Sequence, residues 1–310
     1  MKEIFGYIRD WFYYVNKKLL AICTLQSAVL IFLNYRNHLE LNLTTIENLP
    51  WARFTGHYIL FTLAFVLPYF FCELIEKKSF LDSKPFMVLL VVAPAIFSLK
   101  VALTAELPFS NDVNWNEYWN QVYQWPVRLA VVLAVLFLLW RRFDRELPFY
   151  GLTTRNFKWK PYLLMLLVMI PLIGAASTQN DFLATYPKLK SILHFDETIR
   201  LSWFHKLLFE ISYGSDFFGI EVFFRGFLIL AFIKWVGKDA ILPMACFYCT
   251  IHFGKPLGEC ISSYFGGLLL GIVVYNTRSI YGGLIVHLGI AWLMEIGGYI
   301  GNAILNPLSP

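Results

Sequence analysis

The sequence predicts an all-α fold: a polytopic membrane bundle of about eight or nine transmembrane helices. Three observations predict it. Hydrophobic residues make up 58% of the 310 positions, and the mean hydropathy is +0.57. Charged residues account for only 15%, against roughly 25% in an ordinary soluble domain. The apolar residues also gather in blocks close to the ~20 residues that cross a bilayer core.

Each element follows in order along the chain. Ile4, Phe5, Ile8, Phe12 and Val15 recur at helical spacing beside Lys2, Arg9, Lys17 and Lys18, the pattern of a short helix lying in the membrane interface. The first long apolar run begins only near Leu19, and Glu3 and Asp10 interrupt what would be a basic leader; a cleavable signal is not expected. Spans are expected at roughly 19–34, 56–74, 85–103, 126–140, 161–177, 216–236, 239–253, 258–275 and 281–300. The stretch 202–213 extends the sixth. Residues 1–160 are expected to form an N-terminal transmembrane region, and residues 161–310 a functional membrane core.

Loop charge sets the expected orientation. Lys and Arg cluster at 2–18, at 77–84 and at 141–160, whereas 104–125 contains neither and is rich in Trp and Tyr. By the positive-inside rule the N-terminus is cytoplasmic, and the loop with Trp115, Trp119 and Trp125 lies at the opposite interface. The net charge of +5 is accounted for by this bias, so no nucleic-acid partner is expected. Cys23, Cys72, Cys246, Cys249 and Cys260 all fall in or beside apolar runs, which reads as small packing residues, not a disulfide framework.

Chemistry is expected in the last hundred residues. Spans before residue 160 are almost free of ionisable groups, but Glu221, Arg225, His252, His287 and Glu295 sit in or next to later ones. Each such residue costs about 2.5–3.5 kcal/mol to insert, so they tend to face a bundle interior or a wet cavity. Glu221 and Arg225 are one helical turn apart on one face. Alone they are equally an intrahelical ion pair that neutralises itself. His252 and His287 could each be a satisfied core histidine. The set of one carboxylate, one guanidinium and two imidazoles on separate helices favours a shared polar pocket. A zinc site at Cys246, Cys249 and His252, with Glu259 or Cys260 as fourth ligand, is the competing chemistry, but i, i+3 and i+6 fan round a helix and converge poorly on one ion. No cofactor or metal is therefore expected. Glu210, Glu259 and Glu295 could supply a further base; each reads better as an interfacial or solvated acid.

The segments "IEVFFRGFLIL", "YCTIHFG" and "GGLLLGIVVYNTRSIYGGLIVHLGIAW" resemble the three motifs of the CAAX-protease and bacteriocin-processing family of intramembrane proteases. That pattern is E-E-x-x-x-R, F-x-x-x-H and H-x-x-x-N/D, and the order and spacing match over roughly residues 200–300. Ile220 stands at the first Glu position, Tyr248 at the Phe position and Ala291 at the Asn/Asp position. The resemblance implies an endopeptidase that hydrolyses a peptide bond with a Glu/His-activated water. Glu221 would activate the water with His252, His287 would donate to the oxyanion and Arg225 would orient the site. It also implies a peptide or lipidated protein substrate reached within membrane lipid. A catalytically inactive relative that binds or shields a peptide is the alternative, and a transporter a third reading. For the two imidazoles to meet, the helix before His252 must stop inside the membrane, with "FGKPLG" as irregular backbone lining a cavity.

Overall fold

The computed structural model describes residues 2–44, 50–155, 157–191 and 201–305. Over these residues it has thirteen α-helices: α1 (Lys2–Tyr14), α2 (Lys17–Asn37), α3 (Leu39–Thr44), α4 (Pro50–Glu76), α5 (Lys84–Ala102), α6 (Val113–Phe143), α7 (Lys160–Ala176), α8 (Asn180–Thr185), α9 (Trp203–Glu221), α10 (Ile233–Val236), α11 (Ile241–Thr250), α12 (Leu257–Thr277) and α13 (Tyr281–Leu305). No strand occurs among the described residues. Six of these helices, α2, α4, α5, α6, α12 and α13, are long and apolar enough to cross a membrane. The protein is an all-α polytopic integral membrane protein, as its hydropathy predicts.

These six long helices are fewer than the eight or nine apolar runs, and the reason is local. The run at 216–236 is not one regular helix: α9 ends at Glu221, and Val222–Ala231 continues as a π-helix before the short α10. The run at 239–253 supplies only the ten-residue α11, about 15 Å at 1.5 Å per residue, half the ~30 Å hydrocarbon core. The run at 161–177 supplies the 17-residue α7. Hydropathy sees apolar composition and misses backbone that departs from the α-helix. The Trp-rich stretch is corrected: α6 starts at Val113 and absorbs most of it. Nothing between Val113 and Trp125 breaks a helix, and Asp112 caps it through Oδ1 to the Asn114 and Trp115 amides.

The chain divides into two compact units. The first comprises Met1–Leu103, Val132–Phe157 and Glu221–Gly283. Here α11 packs against α12, α4 and α2. Its core is aromatic: Phe61, Phe65, Phe97, Phe223, Phe224 and Phe247 are buried and meet in tilted and edge-to-face pairs, for example Phe97–Phe224 at 5.0 Å and Phe224–Phe247 at 5.1 Å. Such pairs add ~0.5–1.5 kcal/mol beyond area burial, an advantage where lipid offers no hydrophobic drive between helices. Asn16 caps α2, its Oδ1 accepting from the Lys18 and Leu19 amides. Helix α1 turns Ile4 and Trp11 inward and packs on α12.

The second unit comprises Thr104–Val131, Lys158–Ile220 and Leu284–Pro310. Tyr118 donates to the His205 carbonyl at 2.7 Å, and the Ser212 hydroxyl donates to the Val122 carbonyl. Ile173, Phe182, Leu183 and Tyr186 form a cluster joined by Ile290, Leu293 and Met294. Gly298 lets the α13 backbone lie against Tyr186 and Pro187, where a Cβ would come within 2.6 Å of backbone.

Candidate active site

Glu221 is the last residue of α9, and the four residues after it already belong to the π-helical segment. A π-helix is rare and marks local rearrangement of the backbone, often at functional sites. Glu221 and Arg225 are both fully buried, with Oε1 and Nη1 3.4 Å apart. Burying either charge alone would be costly, so the carboxylate and guanidinium hold each other in place. Gly226 follows Arg225 for a steric reason: the Tyr150 carbonyl sits where its Cβ would be. On the other side, a Cβ on Gly283 would lie 2.5 Å from Glu221 Oε2, so the glycine at the start of α13 leaves room for the carboxylate.

The guanidinium leads on to the second motif. Arg225 Cζ lies 3.8 Å from the centroid of the Tyr248 ring, close enough for a strong cation–π contact in a desolvated site. Tyr248 is itself buried on α11. It meets the His252 ring edge-on, centroids 4.7 Å apart. The α11 helix stops at Thr250, and residues 251–256 form a non-helical turn before α12. His252 thus lies two residues beyond the helix end, where its Nδ1 is 3.0 Å from the Tyr248 carbonyl. A carbonyl only accepts, so Nδ1 carries a proton and donates it to that carbonyl; in a neutral ring the acceptor would then be Nε2. That is the nitrogen a general base uses. Within the first unit the structure thus sets out a row: Glu221, Arg225, Tyr248, His252.

His287 belongs to the second unit, on α13, where its ring meets Phe217 edge-on at 4.9 Å. Ala291, one turn on, is buried with Tyr213 and Phe217. The other carboxylates take separate places. Glu259 pairs with Lys255 at 3.6 Å, and Glu295 Oε2 accepts from the Lys188 amide at 2.8 Å. Neither oxygen of Glu210 has a hydrogen-bond partner among the described residues. The thiols of the zinc alternative divide between two places: Cys246 Sγ lies 3.5 Å from the Cys23 carbonyl, while Cys249 Sγ lies 3.5 Å from the Cys260 carbonyl and 4.0 Å from Cys260 Sγ. No group of three or more His, Cys, Asp or Glu placed to hold a metal occurs among the described residues.

Sequence reasoning did not assign Tyr248 a role. The available signal was an aromatic four residues before His252, on the same helical face.

An α-helical membrane protein with a buried acid–guanidinium pair and a histidine at a broken helix is the class these features define. Residues 207–293 match the family model Rce1-like, type II CAAX prenyl endopeptidase. That segment contains Glu221, Arg225, Tyr248, His252, His287 and Ala291, and the family recognised from the three motifs is supported over it. No curated protein and no solved structure matches the chain.

Proposed function

We propose that the chain is an intramembrane endopeptidase of the CAAX-processing type, acting on a peptide or prenylated protein end within the bilayer. The observation that carries the proposal is the row in the first unit, which ends in an imidazole that Nδ1 holds against the Tyr248 carbonyl. In this reading a water donates its proton to the base formed by Glu221 and His252 while its oxygen attacks the scissile carbonyl carbon. The carbonyl becomes an oxyanion, to which His287 donates by its motif position. Collapse of the tetrahedral species breaks the C–N bond, and the proton passes to the leaving amine. Arg225 orients the Glu221 carboxylate. General acid–base transfer of this kind contributes typically 10²–10⁴-fold. The catalytic core is assigned to residues 161–310 and the N-terminus to the cytoplasm, on motif position and loop charge.

One observation favours the inactive reading. Glu221 is fully enclosed and already engages Arg225, while Ile220 and Ala291 fill two usual polar positions with apolar side chains. Losing an oxyanion donor alone costs about 10²–10³ in rate.

The test is hydrolysis of a prenylated C-terminal peptide library by purified full-length protein in nanodiscs. The endopeptidase reading expects turnover in the wild type that falls at least ~100-fold in Glu221→Gln and in His252→Ala. Absence of turnover in every form, with peptide binding retained, would establish the inactive relative. Turnover that appears only in Ile220→Glu with Ala291→Asn would establish it as well.

A further inference from the structure

We infer that the groove between α2 and α12 is a binding site for an anionic phospholipid, with one acyl chain along the groove and the headgroup phosphate at Arg36. The inference goes beyond the proposed activity and does not rest on it.

The groove lies wholly within the first unit. It encloses about 500 Å³, and its floor and rims include Ala28, Phe32, Ile261 and Phe265. Ala28 is small, and Phe32 and Phe265 stand exposed on either side, so the surface between two membrane-length helices is concave where it would otherwise be filled. Such a space cannot remain empty in a bilayer, because its walls would forfeit their dispersion contacts. Water is a poor remedy, since most of the lining is apolar and its Thr24 and Tyr264 hydroxyls already bond each other. Hydrocarbon remains, and a chain is the hydrocarbon a bilayer supplies.

Charge decides which lipid. The groove ends at Tyr35 and Arg36, at the last turn of α2. Arg36 is exposed and makes no ion pair or hydrogen bond among the described residues. A guanidinium at the membrane interface, at the mouth of a chain-shaped groove, is complementary to a phosphate that accepts two of its N–H groups. A zwitterionic headgroup offers the same phosphate with a cation beside it, so the preference should be for net negative charge.

The groove also connects to the turn that carries His252. Beside Arg36, the Tyr35 hydroxyl donates to the Lys255 carbonyl at 2.5 Å, and Asn34 Nδ2 donates to the Phe253 carbonyl at 3.0 Å. These bonds fasten the last turn of α2 to that turn. A lipid that orders this end of α2 therefore steadies the backbone carrying the imidazole.

The test is native mass spectrometry of purified full-length protein, titrated with dioleoyl phosphatidylglycerol or dioleoyl phosphatidylcholine of equal chain length. The wild type should retain the anionic lipid about fivefold more tightly. Arg36→Gln should abolish that preference while still binding both. Ala28→Trp, at an exposed position that tolerates the ring, should weaken both by tenfold or more, and Ile261→Trp should repeat this result. Equal retention of the two lipids by the wild type would overturn the proposal. So would unchanged retention in both Trp variants. Displacement by inorganic phosphate would point to a free anion, and displacement by a prenylcysteine peptide to substrate; either result would also overturn it. Because lipid retention is read without turnover, failure of the protease reading leaves this outcome unaffected.

Discussion

Replacing Arg225 by Met would remove the guanidinium but keep most of its volume, leaving Glu221 in a fully enclosed site. At 3.4 Å the attraction lost is about 5 kcal/mol for an effective dielectric near 20. The contact with Tyr248 at 3.8 Å adds about 2 kcal/mol when desolvated. Against these stands the relief of no longer burying the cation, so the net loss should fall near the ~3–5 kcal/mol measured when one partner of a buried pair is removed. That corresponds to a fall in melting temperature of roughly 5–10 °C. A thiol-reactive dye suits the assay, because all five cysteines are buried in the native state. The double variant Glu221→Gln with Arg225→Met removes both charges and should regain most of the loss. Catalysis should not return with it. Wild-type melting of Arg225→Met would refute this account of the pair, as would a double variant that loses the sum of the two single effects.

Three further outcomes follow from the same geometry. Tyr248→Phe keeps the ring on which Arg225 and His252 pack and should melt within about 1 kcal/mol of the wild type, whereas Tyr248→Leu should cost ~2 kcal/mol or more through the lost cation–π contact; paired thermal melts separate them. Gly283→Ala puts a methyl 2.5 Å from Glu221 Oε2, so peptide turnover should fall by tenfold or more with little change in substrate affinity, as a split of kcat from KM would show. Gly226→Ala drives a Cβ into the Tyr150 carbonyl and should destabilise by ~1–3 kcal/mol through overpacking, read by the same dye assay.

The sequence was a good guide to some parts of this site and silent on others. The E-x-x-x-R spacing placed Glu221 and Arg225 together, because residues four apart on a helix are neighbours whatever surrounds them. The Gly and Pro of "FGKPLG" signalled the break after α11, since neither continues a helix, and α11 does stop at Thr250. Nothing in "VFFRGFLILA" announces a π-helix, because its residues suit an α-helix equally well. Tyr248 was legible as a departure from Phe; its place between the guanidinium and the imidazole was not, since that depends on how α11 faces the π-helical segment. The need for glycine at 226 and 283 appears only once the carbonyl and carboxylate beside them are located.

What the sequence determined by itself is an α-helical membrane protein, three motifs that lie within the family-model match at residues 207–293, and the polar side chains that a hydrocarbon environment makes expensive. The motifs are read from residue spacing; the other two follow from the free energy of transfer, which each segment meets separately and which hydropathy records. The tertiary structure alone decided which apolar runs form helices long enough to cross a membrane, which nitrogen of His252 meets a backbone carbonyl, and that Tyr248 bridges two motifs. Such outcomes depend on contacts between residues distant along the chain, and their energies belong to pairs that no single segment contains.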